Sequence, residues 1–226
     1  MDYVSARSSG RYGRIQEKIK MIHKIAERIV NEQIAKECLN ADERNKYIYA
    51  YEVLLNQVIN IAIAVILALM LHEPKAVLLF LCIYIPLRKY AGGFHAKNNE
   101  RCIVYSTLII VLVIFCNRLL MQYVYDYKSI AVFTWLLLLV YIYHLAPVEA
   151  KNKRLDIEER KYYKKKVRNI CIVHISFMVL NVLFLQWKGI YINALLAYSV
   201  LFFALKIEKF NTEKQKNEIK LNRWED

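Results

Sequence analysis

Cysteine and proline are sparse in this 226-residue chain, and neither is organised. The three prolines leave few kinks or cis bonds to expect. The five cysteines, Cys38, Cys82, Cys102, Cys116 and Cys171, are odd in number and scattered. They contain no C-x-x-C pair, which excludes a disulfide framework and fits a reducing cytoplasmic side. His144 and His174 stand in separate segments without ligand-like spacing, so neither a metal site nor a cofactor is expected. There is no internal repeat of the kind many transporters carry. No cleavable signal peptide is visible, because the first apolar run begins near residue 53, behind a basic segment.

What the chain has in quantity is apolar residues, 57% of the total, gathered into runs. Val53–Leu71, Ile103–Met121, Ile130–Ala146, Ile170–Trp187 and Ile190–Leu205 approach the ~20 residues that span a bilayer. A sixth, Ala76–Leu87, is shorter and predicts a helix extended at both ends, with Arg88 and Lys89 snorkelling to the surface. The fold class is all-α, a polytopic bundle of about six transmembrane helices. The formal charge of +13 follows the same plan. With all six runs crossing and the N-terminus inside, residues 1–52, 88–101, 147–169 and 206–226 are internal. Those segments hold 29 of the 33 Lys and Arg. This is a positive-inside distribution in a membrane, with both termini and the 88–102 loop cytoplasmic. The charge therefore implies anionic lipid rather than nucleic acid.

The expected division is a basic N-terminal segment (1–50), a transmembrane region (51–206) with a loop at 88–102 and a basic loop at 147–169, and a tail (207–226). In the first segment, Ile15, Ile19, Ile22, Ala26, Ile29, Val30 and Ile34 recur at helical spacing among lysines and arginines. This amphipathic helix is suited to lie on the inner leaflet or to dock a partner helix.

The chemistry concentrates between runs two and three. Arg88-Lys89-Tyr90-Ala91-Gly92-Gly93-Phe94-His95-Ala96-Lys97-Asn98-Asn99-Glu100-Arg101-Cys102 places a base and a thiol seven residues apart at a membrane surface. In one continuous helix that separation is about 10 Å, beyond hydrogen-bond reach. Gly92-Gly93 predict a break instead, and Asn98 or Asn99 is a good N-cap for the next helix. Cys102 then falls in its first turn or so, where the macrodipole favours a thiolate and Arg101 acts in the same direction. The glycine turn leaves backbone N–H groups free for an oxyanion. Spacing alone is also compatible with an incidental His and Cys near a helix end.

The pattern Arg88…Gly92-Gly93-Phe94-His95-Ala96…Cys102 resembles the signature of the accessory gene regulator B family, membrane cysteine endopeptidases of Gram-positive quorum sensing. Chain length, basic amphipathic N-terminus, apolar segments and a basic loop after the fourth resemble that family too. The resemblance implies Cys102 as nucleophile and His95 as acid–base, acting on an accessory gene regulator D-type (AgrD-type) precursor peptide. It implies release of the precursor's C-terminal tail, a thioester on Cys102, and closure of a thiolactone or lactone ring. It further implies supporting roles for Arg88 in acidic-tail binding or loop positioning, and for Gly92 and Gly93 in backbone geometry. A homodimer is compatible with it.

Weaker candidates are Gln57 and Asn60, with Asn56, whose amides in the first apolar run read first as inter-helix hydrogen bonds. Ser106, one helical turn beyond Cys102, is a weak site-lining candidate. Two other classes compete with a peptidase: a small transporter or peptide-export component, and a membrane scaffold. Both predict that Cys102 is dispensable.

Overall fold

A computed structural model describes residues 21–93, 99–123, 127–149 and 155–222, with side chains through residue 214 except those of 99 and 100. Residues 21–35 form α1. The remaining helices are α2 (Arg44–Met70), α3 (Pro74–Ala91), α4 (Asn99–Tyr123), α5 (Lys128–Leu145), α6 (Ile157–Leu180) and α7 (Lys188–Asn222). No strand occurs among the described residues. Five helical segments are long and apolar enough to cross a membrane. The sixth expected span, α3, carries Lys75, Arg88 and Lys89, yet its 18 residues extend beyond Ala76–Leu87 at both ends. At 1.5 Å per residue they reach about 27 Å, close to the ~30 Å hydrocarbon core. The chain is an all-α, multi-pass membrane protein.

Two compact units are distinguished, one of residues 1–66 and 96–108, the other of residues 67–95 and 109–226. In the first, α1 folds back on the start of α2. Its C-terminus closes by a Schellman motif: Glu37 N–H donates to Ile34 O at 2.9 Å and Cys38 N–H to Gln33 O at 2.9 Å. Glu37 takes the left-handed conformation this requires, at φ 56°. Asn40 then caps a 3₁₀ turn (Ala41–Glu43) leading into α2. Ala26 and Val30 of the amphipathic stripe are fully buried against Ile48, with Ile34, Tyr47, Tyr51 and Leu55 around them. This part of the stripe packs on α2 rather than lying open to lipid; Ile15 and Ile19 lie outside the described residues. Polar contacts fix the pairing, His23 to Glu52 at 2.6 Å and Arg44 to Glu27 at 2.6 Å. The Arg44 contact holds the Glu27 carboxyl below the usual carboxylate range.

In the second unit, α7 packs against α3 and α5, and α6 against α3. Trp135 and Tyr198 meet edge to face with centroids 5.7 Å apart, and Tyr198 OH lies 2.9 Å from His174 Nδ1. His174 is thus engaged in inter-helix hydrogen bonding, the usual use of a polar side chain inside a bilayer. The expected basic loop at 147–169 is largely helical. Asp156 caps α6 by accepting from Glu159 N–H at 2.7 Å, and Glu158 and Glu159 occupy its first turn, where the dipole favours acid. Arg160, Lys161, Lys164, Lys165, Lys166 and Arg168 therefore stand on helix rather than loop. The tail expected from residue 207 likewise begins as an uninterrupted continuation of α7.

Candidate functional site

In the second unit, α3 ends in a tied glycine turn. Gly92 N–H donates to Arg88 O at 3.2 Å, and the Arg88 guanidinium reaches back to donate to Gly92 O. Gly92 stands at φ 82° and Gly93 at φ 118°, conformations that side-chain-bearing residues rarely adopt. Space imposes the same choice. A Cβ on Gly92 would run into the Val148 carbonyl, and one on Gly93 into the Arg88 guanidinium. The Val148 contact is a parallel bridge to Gly92, with Val148 N–H donating to Ala91 O at 2.9 Å. The segment after α5 is therefore hydrogen-bonded to the turn that leads toward His95.

Two charged side chains complete this end of the unit. Lys164 donates to Tyr143 O and, at 2.8 Å, to Ala146 O, closing the last carbonyls of α5. Arg160 pairs with Glu149, one residue beyond Val148. The basic start of α6 thus anchors the strap that pairs with Gly92.

In the first unit, Cys102 is the fourth residue of α4 and half-buried. The Asn60 side-chain amide donates to Cys102 Sγ at 3.7 Å. Ser106 follows one turn later and is half-buried, whereas Gln57 is exposed on α2. Asn56 is buried, its Nδ2 donating to Glu52 O at 2.9 Å. His95 lies outside the described residues, together with 94 and 96–98. No cluster of three or more His, Cys, Asp or Glu side chains suited to a metal occurs among the described residues.

The start of α4 at Asn99 puts the Cys102 thiol in the first turn of a helix. Residues 22–208 match the family model of Accessory gene regulator B. The chain belongs to the accessory gene regulator B (AgrB) family. That membership places it in the agr quorum-sensing system, and the family is associated with processing of the AgrD precursor. Among curated proteins it is 28% identical over 179 residues to AgrB-like protein 2 of Clostridium perfringens strain 13, covering 75% of this chain and 81% of that protein. It is 29% identical over 148 residues to an AgrB-like protein of Clostridium perfringens strain SM101, covering 62% and 67%. No solved structure matches.

Within this AgrB family member, two site features were not legible as such in the sequence. Val148 contributes only backbone N–H and C=O groups, so its side chain carries no signal. Asn60 was one of three amides in the first apolar run, and only its contact with Cys102 Sγ singles it out.

Proposed function

We propose that this chain is a membrane cysteine endopeptidase that removes the C-terminal tail of an AgrD-type precursor. His95 takes the proton of the Cys102 thiol, and Sγ attacks the scissile carbonyl carbon. His95 then returns the proton to the leaving amine, and the peptide remains on Cys102 as a thioester. A cysteine or serine within the peptide attacks that thioester and closes a thiolactone or lactone ring. Thioester exchange to a thiolactone conserves the acyl energy, so the cyclisation requires no ATP. Water must be kept away, since hydrolysis would release a linear product.

The observation that carries this reading is Cys102 at the N-terminus of α4, in a family member whose Gly-Gly-Phe-His-Ala segment precedes it. The charge distribution supports a cytoplasmic site, with both termini on the same side and anionic lipid at that surface. The tied turn at Arg88 supports a positioning role for that residue.

The test is mass spectrometry of the purified protein in nanodiscs with a candidate precursor, comparing wild type with Cys102→Ala and His95→Ala. The expected result is a released tail and an acyl adduct on Cys102 in wild type alone. Processing that survives Cys102→Ala would exclude the mechanism and return the reading to transport or scaffolding.

A further inference from the structure

We infer that Asn60 is a further catalytic group, donating its side-chain N–H to the charge that develops on Cys102 Sγ and then on the scissile carbonyl oxygen. The inference rests on the assignment of Cys102 as nucleophile. It begins from a contrast among amides in the membrane helices. Asn56 and Asn193 turn their Nδ2 back on their own helix, to Glu52 O at 2.9 Å and Gly189 O at 2.8 Å. That is the ordinary way for a polar side chain to satisfy itself in an apolar segment. Asn60 instead donates across to another helix, to the sulfur assigned as nucleophile.

A neutral thiol is a weak acceptor. The contact gains strength as the sulfur becomes negative, because charge-assisted hydrogen bonds are roughly twice as strong as neutral ones. The electron flow fits a single donor. When the His95 base removes the thiol proton, charge sits on Sγ. When the S–C bond forms, the carbonyl π pair moves to oxygen, and the oxyanion is bonded to the same carbon as Sγ. Nδ2 has two N–H groups, so it can follow the charge from sulfur to the neighbouring oxygen without releasing its helix position. Collapse of the intermediate restores the carbonyl and breaks the C–N bond, with His95 supplying the proton to the amine.

The experiment measures single-turnover acylation of Cys102 by a candidate precursor in nanodiscs, for wild type, Asn60→Ala, Asn60→Gln and Cys102→Ala. Alkylation of Cys102 by iodoacetamide, which needs no oxyanion donor, is followed in parallel to check that the thiol remains accessible and α4 in place. Loss of one such donor is expected to slow acylation by roughly 10²–10³-fold. Precursor KM should stay within a few-fold of wild type. Iodoacetamide alkylation should slow far less than acylation, because it loses only the donor to the thiolate and not the donor to the oxyanion. Asn60→Gln should recover part of the rate. An Asn60→Ala variant that acylates at the wild-type rate overturns the inference. So does one in which acylation and alkylation fall by the same factor without rescue by glutamine, which would assign Asn60 to helix packing. Cleavage by Cys102→Ala would instead remove the nucleophile assignment, and the role of Asn60 with it.

Discussion

At the scale of single residues, Gly92 and Gly93 illustrate a requirement set twice, by conformation and by crowding. Both have positive φ, and both lack room for a Cβ. The obstacles differ in kind, which gives a ranking. At Gly92 the obstacle is the Val148 backbone carbonyl, held by its own bridge; at Gly93 it is the mobile end of the Arg88 side chain. Gly92→Ala is expected to destabilise the protein by more than about 1 kcal/mol. Gly93→Ala should cost less and act mainly by displacing Arg88 from Gly92 O. Thermal unfolding in detergent checks the order, and equal melting temperatures for Gly92→Ala and wild type would contradict it. The glycine pair was legible in the sequence because glycines inside an otherwise polar turn mark a special backbone. Its partner Val148 was not, since a backbone hydrogen bond between segments 56 residues apart in sequence leaves no trace in residue type.

Among the elements, the reversal between α6 and α7 depends on one buried amide. A π-helical turn (Asn181–Leu185) ends α6, and Gln186 follows at φ 49°. Asn181 Oδ1 accepts from Trp187 N–H at 3.0 Å, and its Nδ2 donates to Trp187 O at 3.3 Å. Its own carbonyl accepts from Gln186 N–H at 2.7 Å and Tyr191 OH at 3.4 Å. Asn181→Ala removes the two side-chain bonds and should lower stability by about 1–2 kcal/mol, measurable by reversible unfolding in bicelles. A change within error would mean that water at the membrane surface replaces them. The helices themselves were largely written in the sequence. Runs of apolar residues set five spans, and the polar ends of α3 were foreseen as extensions. The start of α6 was not, because a run of nine Lys and Arg reads as a solvated anchor. The Asp156 cap and the acidic first turn are what make it helix.

For the molecule as a whole, charge and membrane topology bear together on the substrate. Arg160, Lys161, Lys165 and Arg168 are exposed at the start of α6, whereas Lys164 is occupied with the α5 carbonyls. An acidic precursor tail would be drawn to such a face, and the attraction would be screened as the Debye length shortens from about 10 Å at 0.1 M salt to about 3 Å at 1 M. Precursor affinity is therefore expected to fall as salt rises, and titration at the two ionic strengths checks it; an unchanged affinity would assign this face to anchoring alone. The sequence by itself determined the membrane class, the helical spans, the glycine break and the thiol at a helix start. Each of these follows from local composition and spacing, which act over one or two turns of chain. Only the tertiary structure decided that the α1 stripe packs on α2, that Val148 bridges Gly92, and that Asn60 rather than Asn56 or Gln57 faces Cys102. Those are choices among chemically equivalent groups, and they are made by which helix faces pack together.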